Sequence, residues 1–151
     1  MGRVASDERL ARIVRSPRFY NPKTKAIKAG IFSLSEIRKS GISLIRIDKI
    51  SRDELLDAAL AVTMHAPEGG TLAGVGLLEA SRIRAIICPK SERYLCVKDD
   101  PVVNQPPLPD NPAHALAEAA RVLSEVEAIE IQTELKFIMG QLVEPIDIKS
   151  I

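Results

Sequence analysis

The sequence contains few of the residues on which several functional classes depend. Only 3% of its 151 residues are aromatic and none is tryptophan, which argues against a platform that stacks the bases of single strands. Two cysteines are too few for a disulfide scaffold or a cysteine-only zinc site. No apolar run approaches the roughly 20 residues that span a bilayer, so no membrane-spanning segment is expected. The hydrophobic fraction of 46% instead predicts one globular domain over residues 1–151.

The motifs of common enzymes are also missing. The chain has no phosphate-binding loop, no Gly-x-Ser-x-Gly elbow and no complete dinucleotide fingerprint. His65 and His114 are its two histidines, so a multi-histidine metal site cannot form in one chain. A site of two histidines and one carboxylate is arithmetically possible but has no spacing signature. We therefore predict no metal and no cofactor. Because no apolar signal segment follows the basic start, we expect a cytoplasmic protein.

Charge is distributed unevenly along the chain. Residues 1–52 hold thirteen Lys or Arg and four Asp or Glu, a local charge of +9, whereas residues 92–151 carry −6. One interpretation of this polarity is a basic surface that binds nucleic acid or an acidic partner. The other is that the acidic C-terminal half packs against the basic N-terminal half within one fold. The candidates for anion or nucleic-acid binding are Arg12, Arg15, Arg18, Tyr20, Lys23, Lys25, Lys28 and Arg46.

The sequence pattern predicts an α+β domain. Ser51–Glu54 is a capping box, so a helix is expected over about 52–64. Asn111 followed by a proline and a run of alanines predicts a long C-terminal helix over about 112–139, whose apolar face packs inward or binds a partner protein. Residues 99–112 hold five prolines and predict a proline-rich loop. The remaining segments predict a short helix over 6–15, a hairpin around 18–34, and strands over 42–47, 72–78 and 94–98, while 81–88 fits helix or strand. These strands form a small mixed or antiparallel sheet.

Two local segments are candidates for chemistry. The predicted helix places His114 in its first turn, where the helix dipole favours a neutral imidazole that acts as a base or hydrogen-bonding group. The alternative is a histidine that only packs against the proline-rich loop. In Arg15–Tyr20, two arginines beside two aromatic rings are typical of a phosphate-binding fork with a stacking ring. The alternative is a strand whose rings enter the core and whose arginines are solvated.

The order of several segments resembles a group of small uncharacterised bacterial proteins. The likeness covers about residues 10–120 and includes Pro17–Pro22, Ile31–Leu34, Ile42–Ile47 and Asp99–Pro101. Its most specific element is Asn-Pro-Ala-His-Ala, residues 111–115. No activity is known for that group, so the resemblance implies no role for any residue.

Two functions are therefore expected. The first is a non-enzymatic subunit or adaptor of a larger bacterial assembly, in which the basic N-terminal third contacts nucleic acid or an acidic partner and the C-terminal helix binds a protein. The second is a small enzyme or toxin that acts on a phosphorylated substrate or RNA, with His114 as acid or base and arginines as anion clamps. Convergence of His114 and the N-terminal arginines on one concave pocket would favour the second.

Overall fold

A computed structural model describes residues 3–86 and 92–151 and contains a five-stranded antiparallel sheet in the spatial order β5-β1-β4-β7-β6. The strands of the described residues are β1 (Arg9–Ser16), β2 (Tyr20–Asn21), β3 (Ala26–Ile27), β4 (Ile42–Arg46), β5 (Thr71–Glu79), β6 (Leu95–Asp99) and β7 (His114–Ala119). The short β2–β3 hairpin is separate from the main sheet. The α-helices are α1 (Arg52–Met64), α2 (Ala80–Arg84) and α3 (Glu125–Ile138), so the predicted α+β class is confirmed.

Both longer helices begin at a capping box. In α1 the Ser51 hydroxyl accepts a hydrogen bond from the Glu54 amide at 3.1 Å, and the Glu54 carboxylate accepts one from the Ser51 amide at 3.1 Å. Ser124 and Glu127 repeat the same pair of bonds at the start of α3. The first box confirms the predicted helix over 52–64, since it satisfies two amides that the helix itself leaves unpaired.

The C-terminal helix begins later than the sequence predicts. Residues 114–119 form strand β7 between β4 and β6, and the helix starts only at Glu125. Ala115 and Ala117 are buried in the core beneath the sheet, and pairing with two neighbouring strands outweighs the helical preference of alanine. Asn111 is not a helix cap: its side-chain oxygen accepts the amide of Ala113 at 3.1 Å and turns the chain into β7.

The helix predicted over residues 6–15 is also wrong. Residues 9–16 form β1, which pairs with β5 along its whole length and with β4 at its beginning. Helical spacing of the apolar residues is compatible with this strand because β1 is covered on both faces. Of the ambiguous segment 81–88, the first part belongs to α2, and residues 87 and 88 lie outside the described residues.

The sheet separates two hydrophobic clusters. The larger cluster lies on the face that carries α2 and α3, and the smaller lies between the sheet, α1 and the C-terminal 3-10 turn Pro145–Ser150. β1 and β4 pair at Leu10↔Arg46 and Ala11↔Ile45, and β1 then continues along β5 to Ser16. The space left between β1 and β4 opens into a cleft.

Candidate functional site

A cleft of about 680 Å³ lies beside α1. Its floor is formed by side chains of the three central strands, and Ala58 and Val62 of α1 form one wall. The opposite wall is the predicted proline-rich loop, which contributes Pro101, Val102 and Leu108 among others. The cleft therefore has a floor of mixed apolar and polar side chains between a helix and a loop, as ligand sites commonly do.

The loop wall is closed at its base by backbone bonds. Val102 and Asn111 donate their amides to each other's carbonyl oxygens at 2.9 and 2.8 Å. Within the loop, the Asn104 amide donates to the Asp110 carboxylate at 3.0 Å. These bonds and the prolines restrict the loop, so it can hold its side of the cleft without secondary structure of its own.

His114 lies at the start of β7 and lines the cleft. Its Nδ1 is 2.7 Å from the carbonyl oxygen of Asp100 and 3.2 Å from the carboxylate Oδ2 of the same residue. Both oxygens are acceptors, so in the neutral imidazole Nδ1 carries the hydrogen. Nε2 is then the basic nitrogen, and it has no hydrogen-bond partner among the described residues. The arrangement fixes the orientation of the ring and leaves Nε2 as a hydrogen-bond acceptor.

Arg15 and Arg18 converge on one carboxylate at the rim of the same cleft. Arg15 Nη1 is 3.1 Å from Glu68 Oε2, and Arg18 Nη1 is 3.4 Å from Glu68 Oε1. The guanidinium carbons of both arginines lie over the Phe19 ring, at 5.1 and 5.3 Å from its centroid. The hydrogen bond from Arg15 lowers the pKa of Glu68, with the charge of Arg18 acting in the same direction. The two arginines therefore flank the ring with an acidic side chain between them, while Phe19 also packs against the larger cluster, as the alternative stated. The phosphate-binding role of the two arginines stays a prediction.

Arg12 also lines the cleft, but its guanidinium is held by hydrogen bonds within the fold. Its Nε and Nη2 donate to the Ile31 carbonyl at 3.1 and 2.7 Å, its Nη1 donates to the Ser43 carbonyl at 3.1 Å, and Nη2 reaches Glu36 at 3.0 Å. Burial lowers the pKa of Arg12, and the charge of Glu36 opposes that shift. The guanidinium thus satisfies backbone oxygens at the gap between β1 and β4.

His114 and the pair Arg15 and Arg18 lie at separate parts of the cleft. Ala11, Ile45 and His114 occupy one row across β1, β4 and β7. With about 4.8 Å between strands and about 3.4 Å per residue along β1, the Cα atoms of His114 and Arg15 are about 17 Å apart. A ligand that contacts both His114 and Arg15 must therefore span the distance between these two positions of the cleft.

The other predicted anion-binding residues do not line the cleft. Arg46 is buried with its guanidinium between Glu8, at 2.7 Å, and Asp99, at 3.0 Å, which removes it from any open basic surface. Tyr20 is half-buried against the larger cluster. Three lysines are exposed on and beside the β2–β3 hairpin, namely Lys23, Lys25 and Lys28. The eight predicted residues therefore do not form one continuous face.

Sequence reasoning missed two members of the site. Glu68 comes to the fork from the turn after α1, more than fifty residues away in the chain. Asp100 contacts His114 because β6 and β7 are paired. The adjacent acidic and glycine residues of Pro67–Gly70 and the pair Asp99–Asp100 were visible in the sequence, but nothing local indicated which side chains they would meet.

Several further expectations concern partners and cofactors. Among the described residues, no three His, Cys, Asp or Glu side chains are grouped as metal ligands. Within the same part of the chain, no helix has the length and apolar character needed to cross a bilayer. Val126, Ile129 and Phe137 of α3 are exposed. The expected protein partner of this helix stays a prediction.

Comparison with known proteins yields no relative. No family model matches the chain, and neither the curated proteins nor the solved structures contain a significant match. The resemblance to the bacterial group therefore also stays a prediction. Any functional assignment depends on the geometry of the cleft alone.

Proposed function

We propose that the protein is a small cytoplasmic enzyme that acts on a phosphorylated ligand held in the cleft between α1 and the proline-rich loop. Arg15 and Arg18 bind the phosphate, and His114 takes a proton from, or returns one to, the other end of the ligand. The observation that carries the proposal is that His114 and these two arginines line the same cleft.

The chemistry assigned to His114 follows from its partners. Asp100 accepts the Nδ1 hydrogen and fixes the ring, which leaves Nε2 to take a proton from the ligand or to return one. General acid–base catalysis of this kind contributes a rate factor of about 10²–10⁴. His114 and the two arginines lie at different positions of the cleft, so we assign the phosphate to anchoring the ligand and the proton transfer to the ligand's other end.

An adaptor that contacts nucleic acid through its basic third is less well supported. Arg12 and Arg46 of the predicted contact set are engaged inside the fold, and two further members face the cleft. RNA remains within the proposed ligand class only as an extended phosphate-bearing molecule, so ribonucleotides and short RNA belong in the experiment.

The test separates binding from chemistry with three variants. His114→Asn places an amide donor where Nδ1 lies and removes Nε2, while the exposed His65 provides the matched control His65→Asn. Arg15→Met/Arg18→Met removes the fork. Phosphorylated metabolites, ribonucleotides and short RNA are screened by thermal shift, and the stabilising compounds are incubated with each protein and analysed by mass spectrometry.

We expect the same compounds to stabilise the wild type, His114→Asn and His65→Asn, but not the double arginine variant. Conversion should fall by about 10²–10⁴ in His114→Asn and stay unchanged in His65→Asn. The proposal fails if no phosphate-bearing compound stabilises the wild type, or if conversion survives in His114→Asn.

A further inference from the structure

The turn after α1 is built to hold an acidic side chain at the arginine fork. The Gly69 amide donates to the Ala66 carbonyl at 3.0 Å and closes the turn. Gly70 has φ +106°, and a Cβ there would lie 2.4 Å from the carbonyl oxygen of Ser16, so only glycine allows this turn to press against the end of β1. The backbone therefore brings Glu68 directly across from Arg15.

Glu68 is the anion that Arg15 and Arg18 hold in this structure. Its two carboxylate oxygens are divided between the two arginines, one oxygen to each. The same arginines flank Phe19, so the two guanidinium groups are positioned before any ligand arrives. The Glu68 side chain is 44% exposed, which leaves it free to move into solvent when the fork is taken by another anion.

We propose that Glu68 is an internal competitor that fills the anion position of the cleft, so that the site admits phosphate dianions and excludes carboxylates. This inference rests on the proposed function, because it assigns selectivity to the same fork. A phosphate offers three acceptor oxygens and nearly two negative charges, against two oxygens and one charge for a carboxylate.

Tethering strengthens the competition. A group attached by a short segment has an effective concentration on the order of millimolar at its site. A free carboxylate that displaces Glu68 only replaces the contacts of one carboxylate with those of another. It therefore binds only when its concentration exceeds the effective concentration of Glu68. A phosphate that displaces Glu68 brings more negative charge to the two arginines than the carboxylate it replaces. We therefore expect phosphate to bind at concentrations at which a free carboxylate does not.

The experiment measures the binding of inorganic phosphate and acetate by isothermal titration calorimetry at pH 7. Glu68→Gln removes the competing charge and keeps the shape of the side chain. Glu130→Gln makes the same change at an exposed position of α3 and is the matched control. Glu68→Gln/Arg15→Met tests whether any gain depends on the fork. The thermal midpoint of each variant confirms that it is folded.

We expect Glu68→Gln to bind phosphate about 3- to 10-fold more tightly than the wild type and to gain measurable acetate binding. Glu130→Gln should match the wild type, and Arg15→Met should abolish the gain. Equal or weaker phosphate binding by Glu68→Gln would mean that Glu68 merely positions the arginines, which overturns this inference and leaves the proposed function intact. If phosphate binds neither the wild type nor Glu68→Gln, the fork is not an anion site and both proposals fail.

Discussion

Replacing Arg46 with methionine is expected to destabilise the protein severely, although the sequence places this residue among the anion-binding candidates. The Arg46 side chain is 6% exposed and donates four hydrogen bonds, three to Glu8 and one to Asp99. Methionine matches its aliphatic stem but leaves two half-buried carboxylates without their cation. Breaking a buried ion pair in this way typically costs about 3–5 kcal/mol, which is a large share of a domain's total stability of about 5–15 kcal/mol.

Urea unfolding at pH 7 measures this loss. With a denaturant slope near 2 kcal/mol per molar, the midpoint of Arg46→Met should fall by about 1.5–2.5 M. Arg18→Met is the control, because the Arg18 side chain is 53% exposed and its midpoint should scarcely change. Adding Glu8→Gln and Asp99→Asn to Arg46→Met should recover part of the loss, since both uncompensated charges are removed. A midpoint for Arg46→Met equal to that of Arg18→Met would refute the structural role and return Arg46 to the surface candidates.

Two further predictions concern the backbone and pH. Gly74→Ala should lower the free energy of unfolding by about 3 kcal/mol, because the φ of Gly74 is +151° and a Cβ would lie 2.1 Å from the Val143 carbonyl oxygen. Gly30→Ala is the control: its Cβ would meet nothing within 4 Å, so its urea midpoint should stay near that of the wild type. Hydrogen bonds from the Ser124 amide and then from the Arg121 side chain lower the pKa of Glu127 below its ordinary 4.5. The ionised Glu127 therefore stabilises the fold above pH 4.5, and this stabilisation is lost as the pH falls through the lower pKa of the folded state. The stability difference between wild type and Glu127→Gln should therefore shrink over that acidic range in urea titrations, and a difference that stays constant would contradict the assignment.

The parts of the fold that local chemistry determines were predictable. The capping box at Ser51–Glu54 consists of residues three apart, so its helix could be read directly from the sequence. The proximity of Arg15, Arg18 and Phe19 was predictable for the same reason, since these residues lie close together in the sequence. Their role in binding phosphate stays a prediction.

The failures occurred where long-range pairing decides the structure. Residues 114–119 have the composition of a helix, and only the neighbouring strands β4 and β6 make them a strand. His114 was predicted to be a site residue because it would lie in the first turn of a helix. It lies instead at the start of strand β7, beside Asp100. Partners contributed by distant turns, such as Glu68, carry no local signal that names the group they meet.

The closure of the proline-rich loop at its base has a consequence for diversification. Because the mutual bonds of Val102 and Asn111 isolate residues 103–110 from the strands on either side, this tip can be lengthened, shortened or exchanged without altering the sheet register. His114 lies on β7 and Arg15 on β1, and Glu68 lies in the turn after α1. These residues would therefore keep their positions when the tip changes. Variation in the tip would thus change the part of the lining that Leu108 and Pro109 contribute, while the lining side chains on the strands stay in place.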